Sequence, residues 1–443
     1  MGRGPPESKM RHKLLVPGAS EELSYEIREI VKKAKQIQAL GKEILWENIG
    51  DPIQKHNTLP EWIREIISEM AKENSTYAYC NSKGDPNTRK FLADRTNALG
   101  GARISPEDIL FFSGLGDAIS TFYQYFAPNV RVIGPSPAYS THSSAEAANA
   151  KASPLTYRLD PANHWYPDIE DLRNKVKYNP SIVGILLINP DNPTGMVYPR
   201  EVLKEIVSIA REYKLFVLCD EIYTNIVYNG ARAWKLAEVI EDVPGVAMKG
   251  ISKEYPWPGS RCGWLEFYNR DRDAEFNKFC DTLAQAKQIE VCSTTLPQLS
   301  IPRVMSDPRY EPYRKALNED IGRRSSRISA ILGEVPELIF NPTYGAFYNS
   351  IVFKPGALKP HQRLKIDNPH VQELVEQWVE GVSGLDYRFV YYLLGAKGIC
   401  VVPLSSFCTD LQGFRVTLLE EDPDHLEQIF TGIRDAVREY LDS

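Results

Sequence analysis

Apolar and polar positions follow two rhythms along the middle of the chain. Ile182–Ile188 is a nearly continuous apolar run, as expected for a parallel strand covered on both faces. Glu201–Tyr213 then spaces its apolar residues as on an amphipathic helix, and Leu215–Cys219 returns to an unbroken apolar run. Ile109–Phe112 and Val130–Ile133 are shorter runs of the first kind, followed by Gly114 and by Pro135 and Pro137 respectively. Strand-like stretches alternating with helix-like ones predict an α/β domain, with a mostly parallel sheet flanked by helices.

The flanks read differently. Leu23 to Gly41 has helical spacing and stops at a glycine, and the turn Gly50-Asp51-Pro52 follows a short apolar run. Beyond about residue 300, the helical pattern of Arg314–Leu332 gives way to short strands near Phe347–Phe353 and Phe414–Leu418. Between these, Lys354–Asp367 is rich in Pro, Lys and Gly and reads as a surface excursion, with a helix-like His370–Val382 after it. This predicts a second, smaller α+β domain. The expected division is a flexible leader over 1–20, an N-terminal segment over 21–56 that joins the small domain, a large domain over 57–305 and a small domain over 306–443.

Length and composition narrow the class. A chain of 443 residues is long enough for two cores. A net charge of -6 argues against a nucleic-acid protein, which would carry a basic stripe. The longest apolar runs are far too short to span a bilayer, and Met1 to Leu15 lacks the apolar core of a signal peptide. Seven scattered cysteines, an odd number without metal-ligand spacing, predict reduced thiols, a cytoplasmic protein and no metal site.

Four pieces carry candidate chemistry. Asp220 ends the run Leu215–Cys219, so it sits at the carboxyl end of a buried strand, the end that faces the ligand crevice in open α/β sheets. A carboxylate there needs a cation, or else it caps a helix beginning at Glu221 and Ile222. Asn189-Pro190-Asp191-Asn192-Pro193-Thr194-Gly195 forces an irregular turn after another buried strand. Gly250-Ile251-Ser252-Lys253 follows the apolar Val246–Met248, with Arg261 eight residues on. A lone lysine is usually a surface charge, but lysine also forms Schiff bases with carbonyl cofactors. Ser113-Gly114-Leu115-Gly116-Asp117 joins a strand to a helix, where glycines let backbone approach a phosphate at the helix N-terminus.

Together these residues resemble the fold-type I, pyridoxal-phosphate (PLP) dependent aminotransferases of class I/II. The resemblance covers nearly the whole chain. It implies a large PLP-binding domain plus a small domain built from both termini, and a homodimer with shared active sites. It assigns Lys253 as the lysine holding PLP as a Schiff base and later moving the proton, preceded by Ser252 in the same loop. Asp220 is similar to the carboxylate that pairs with the pyridine nitrogen. Asn192 and Tyr223 match the groups bonding the ring's phenolic oxygen. Gly114, Leu115 and Gly116 resemble the phosphate cradle and Arg261 its charged partner. Tyr139 matches the aromatic residue stacked on the ring, and Tyr79 the tyrosine lent to the neighbouring subunit's phosphate. Arg415, in Gly413-Phe414-Arg415-Val416, matches the arginine that grips the substrate carboxylate.

A narrower resemblance, to bacterial glutamate–pyruvate (alanine) aminotransferases, rests on Ser24-Tyr25-Glu26-Ile27-Arg28, Asn48-Ile49-Gly50-Asp51-Pro52 and Tyr79-Cys80-Asn81-Ser82-Lys83-Gly84. It implies Tyr25, Arg28 and Gly50 as substrate-pocket residues. Two departures stand around the lysine: Gly250 takes the place of a serine three residues before it, and Tyr255-Pro256-Trp257-Pro258 replaces a flexible Gly-containing stretch after it. The small domain is also bulkier than the resemblance implies, which bears on the substrate. The expected activity is ping-pong transamination between a small amino acid of alanine or aspartate type and a 2-oxo acid such as 2-oxoglutarate or pyruvate. A PLP-dependent carbon–sulfur β-lyase or decarboxylase is the alternative. A non-enzymatic PLP-binding regulator is a further one, although few residues precede the first helix.

Overall fold

The computed structural model describes residues 26–443; the expected leader over 1–20 and Tyr25 lie outside the described residues. The larger sheet holds β2 (Ile109–Phe112), β3 (Arg131–Ser136), β4 (Thr156–Asp160), β5 (Tyr166–Pro167), β6 (Ile182–Ile188), β7 (Phe216–Asp220), β8 (Gly245–Gly250) and β9 (Gly263–Tyr268), while β1 (Leu45–Trp46) lies elsewhere. Their spatial order is β2-β9-β8-β7-β6-β3-β4-β5. The run from β8 to β4 is parallel, β9 lies antiparallel between β8 and β2, and β5 is antiparallel to β4.

The apolar runs have a direct cause. Successive strand residues point to opposite faces. Ile185 and Leu187 of β6 enter one apolar cluster, with Leu203, Ile206 and Val207 of the helix Arg200–Tyr213. Leu186 and Ile188 enter the cluster on the other face, with Ala118, Ile119 and Phe122 of the helix Leu115–Gln124. A strand buried on both sides has no polar face to show. Each such side chain contributes on the order of 1.5–3 kcal/mol.

One expectation is corrected here. The strand expected at Val130–Ile133 runs on through Pro135. The Gly134 N–H points to Leu155 on the β4 side, so the nitrogen of Pro135 faces β6, where the register ends at Ile133. The missing donor thus falls where the ladder to β6 stops, while pairing with β4 continues through Ser136. The stretch 354–367 runs over the surface without regular structure, as expected, but Leu358, Gln362, Leu364 and Ile366 anchor it inward, and Gln362 donates to the Leu441 carbonyl at 3.3 Å. Its alternation is hidden by the intervening polar residues.

The smaller unit holds the antiparallel sheet β10-β11-β14-β13, from β10 (Leu338–Ile339), β11 (Tyr348–Phe353), β13 (Val402–Pro403) and β14 (Gly413–Thr417). Both ends of the chain enter it. β1 pairs in parallel with β12 (Ile399–Cys400), and Ile30, Ala34 and Ile37 share a core with Ile429, Phe430 and Ile433. The first helix, Glu26–Ala39, gives way to Gly41 at φ 87°, a left-handed conformation that favours glycine. No helix among the described residues is long and apolar enough to cross a membrane.

Candidate active site

The parallel strands bring their carboxyl ends to one edge. Ile188 of β6 pairs with Asp220 of β7, and Asp220 with Met248 of β8. The loops leaving these ends carry Asn192, Tyr223 and Ser252-Lys253. β11 and β14 of the small sheet face them with Tyr348 and Arg415. Between lies a cavity of about 430 Å³, walled on the large-sheet side by Leu115, Gly116, Tyr139, Asn192, Asp220, Tyr223, Ser252, Lys253 and Arg261. Arg28, Asn48, Gly50 and Asp51 wall it from the N-terminal segment. Two surface grooves are wider, about 810 and 850 Å³, but neither is walled by a buried carboxylate together with a lysine amine and buried arginine.

Asp220 is 3% exposed. Its Oδ1 accepts from the Ile222 N–H at 3.0 Å, and Oδ2 lies 3.1 Å from His142 Nε2. The helix considered at Glu221 and Ile222 does not form; the chain turns there instead. His142 is fully buried and has no partner for Nδ1 among the described residues. Its orientation fits an Nε2–H donated to the carboxylate.

The Lys253 amine donates to the Gly50 carbonyl. Burial pushes this amine down to about 8, Arg415 and Arg261 push the same way, and Asp51 opposes them. The Tyr223 hydroxyl donates to that of Tyr348 at 3.1 Å, and burial holds the Tyr223 phenol well above its usual range. Arg415, 1% exposed, donates from Nη2 to the Asn48 carbonyl at 2.5 Å and from Nη1 to Asn192 Oδ1 at 3.3 Å. The Asn48 side chain is buried and its amide has no partner among the described residues.

Gly114 precedes the helix Leu115–Gln124 at φ 89°, and a Cβ there would meet Arg261 Nη2 at 2.6 Å. Glycine is needed both for the dihedral and for the close approach of the guanidinium. Gly114 stands just behind the wall formed by Leu115 and Gly116.

Besides Gly114, one described sequence candidate is not in the wall. Tyr79 is 83% exposed and belongs to a separate surface hollow with Asn81 and Arg303. Tyr25 lies outside the described residues. Arg28 is exposed at the rim. Sequence reading missed three wall or supporting residues. His142 passed as one of seven dispersed histidines, although it lies three residues after Tyr139 on the buried face of the helix Ser140–Ala150. Tyr348 falls within the short strand expected near Phe347–Phe353, and Asn48 within the motif Asn48-Ile49-Gly50-Asp51-Pro52, where only Gly50 is singled out.

The chain matches the family described as aminotransferase class I and II over residues 43–431. It belongs to that family. It is therefore an aminotransferase, the first of the three activities left open above. It is 53% identical over 432 residues, 98% of this chain and 100% of the relative, to an uncharacterized aminotransferase of Methanocaldococcus jannaschii. It is 31% identical to the glutamate–pyruvate aminotransferase of Escherichia coli over 63% of this chain and 68% of that one. The alanine aminotransferase of Pyrococcus furiosus has a similar structure, with TM-score 0.82 and 25% identity over 96% of this chain and 100% of that one.

The family works with PLP, and this aminotransferase's residues fit the group. A backbone cradle beside a guanidinium suits a phosphate. A buried carboxylate held by a histidine suits a protonated ring nitrogen. The amine of Lys253 opens into the same space.

Proposed function

We propose that this aminotransferase exchanges amino groups between a small amino acid, of alanine or aspartate type, and a 2-oxo acid such as 2-oxoglutarate or pyruvate, by a ping-pong route. The observation that carries the site assignment is the convergence of Asp220, Lys253 and Arg415 on one cavity of about 430 Å³. The substrate class is supported by the glutamate–pyruvate and alanine aminotransferases among its relatives.

Bound there, PLP supplies an electron sink for negative charge at the substrate α-carbon. Asp220 keeps its ring nitrogen protonated, with His142 holding the carboxylate in place. Asn192 and Tyr223 hold the ring oxygen. Leu115, Gly116 and Arg261 hold the phosphate, with Gly114 shaping the turn, and Tyr139 packs on the ring. Lys253 holds the cofactor and, once released, takes the α-proton on Nζ and delivers it. An amine lowered to about 8 is partly neutral near pH 7, as a base must be. Arg415 grips the α-carboxylate through two parallel hydrogen bonds. Arg28, Gly50 and Tyr25 complete the substrate pocket.

A panel of amino donors against 2-oxoglutarate, with glutamate tested against pyruvate, checks the substrate class. Alanine and glutamate should lead, with aspartate next; a preference for aromatic donors would overturn this reading. In the same panel Arg415→Ala should lower kcat/KM about 100-fold or more for every donor alike, since two charge-assisted hydrogen bonds are lost. Unchanged constants would remove Arg415 from the carboxylate.

A homodimer is part of the same proposal. Tyr77, Tyr79, Ile289 and Val291 are exposed, and their segments adjoin: Thr295 Oγ1 donates to the Ala78 carbonyl at 2.8 Å. Beside them Thr294 Oγ1 donates to the Arg261 carbonyl at 3.2 Å, so this apolar patch borders the proposed phosphate site. A second copy docked there covers the patch and lets Tyr79 reach its neighbour's phosphate. Sedimentation should give twice the chain mass; a monomer at micromolar concentration that is fully active refutes it.

A further inference from the structure

Tyr348 opens β11, is 3% exposed and belongs to the core of the small unit, and three residues tie it to the site as well. Its hydroxyl lies 3.1 Å from that of Tyr223, and the two rings meet edge to face at 5.8 Å. The Arg415 guanidinium sits 4.5 Å from its ring centroid. Its hydroxyl also fills the space beside Gly50, where any Cβ would stand 1.7 Å from it. The hydroxyl is therefore pinned between the N-terminal turn and Tyr223.

A phenol has one proton and two lone pairs. In the structure Tyr223 directs its proton at Tyr348. It cannot do this and also donate to an acceptor in the cavity. Hydroxyl protons rotate, so the pair can reverse, with Tyr348 donating to Tyr223 and Tyr223 donating inward. The local charges favour that direction. The cation over the Tyr348 ring draws electron density from it and makes its O–H the better donor. After burial, the groups that resist ionisation of Tyr223 are Tyr348 itself, Tyr139 at its helix start and Asp220 at the end of β7. Lys253 and Asp51 share the same cavity wall.

We infer that Tyr348 is a positioning residue: its hydroxyl donates to Tyr223 and so turns the Tyr223 proton into the cavity, onto the cofactor's ring oxygen. This role rests on the contact proposed above for Tyr223. A donor that is itself receiving a hydrogen bond is a stronger donor. The relay therefore stabilises negative charge on the ring oxygen and lowers the pH at which the lysine-bound cofactor loses its proton.

The test is a pH titration of the visible absorption of the holoenzyme. Tyr348→Phe keeps the ring over Arg415 and removes only the hydroxyl. Its titration midpoint should rise by about half a unit at unchanged bound cofactor and circular dichroism. Tyr223→Phe should raise the midpoint further, and Tyr223→Phe/Tyr348→Phe should match Tyr223→Phe alone. A Tyr348→Phe midpoint equal to wild type, while Tyr223→Phe moves, overturns the relay and leaves the Tyr223 contact standing. Additive shifts in the double variant also overturn it, because Tyr348 would then act by another route. If Tyr223→Phe itself does not move the midpoint, the Tyr223 contact fails and the relay falls with it.

Discussion

Replacing Lys253 with Ala should lower turnover by at least about 10⁴-fold, the upper end of what one positioned acid–base group contributes. Among the described residues Lys253 is the single lysine in the cavity wall, so no neighbouring amine there can take over. Borohydride reduction should fix the cofactor to the peptide carrying Lys253 in the wild type, and to no peptide in the variant. Label on another lysine, or wild-type turnover in the variant, would refute the assignment. The variant should still fold. The amine lies below its ordinary value because burial disfavours its charged form. Between about pH 8 and the unfolded value of 10.5 the unfolded chain then binds more protons than the folded one. Stability of the cofactor-free wild type therefore rises with pH across that window, and below it the full cost of the buried charge is present. Urea melts of cofactor-free Lys253→Ala should lack this rise.

The parts of this site that could be read from the sequence are those set by local patterns. The run Leu215–Cys219 is apolar because both faces of β7 are covered, and its end marks Asp220 without any knowledge of the neighbours. Asn192 and Lys253 follow similar runs. The parts not legible depend on pairings far apart in the chain. β9 lies antiparallel between β2 and β8, and its Glu266 looks like a polar interruption of a strand. In the fold Glu266 is 1% exposed and takes hydrogen bonds from Lys249, Thr96, Trp264 and Tyr268. Trp264 and Tyr268 flank it on its own strand, but Lys249 and Thr96 come from other stretches, so the cation that pairs with it is not announced by its neighbours. His142 shows the same limit: its helix carries the pattern, but the carboxylate it holds is 78 residues away. Tyr348 became visible as a site residue only once β14 brought Arg415 over its ring.

Asp220→Asn should cut kcat by about 10²–10³-fold while leaving the fold intact. A carboxylate beside a cation shifts the cation's pKa by 1–3 units, and each unit is a factor of ten in the protonated population. The amide preserves shape and can still accept from the Ile222 N–H, but it carries no charge, so the ring nitrogen would lose its proton and the electron sink would weaken. Asp220→Ala should show the same loss of rate plus about 1–3 kcal/mol of instability, because the Ile222 N–H and His142 Nε2 would lose their acceptor in a buried place. Comparing the two variants separates charge from packing: equal kcat with unequal melting points is the expected pattern. The nearby buried Asp191 cannot substitute, since burial pushes its carboxyl up to about 7 and Thr194 holds its Oδ2 at both N–H and hydroxyl. Asn at wild-type kcat would mean that shape alone suffices at this strand end. The proposed chemistry would then need another source for the ring's positive charge, and among the described residues the cavity wall offers no other buried carboxylate to supply it.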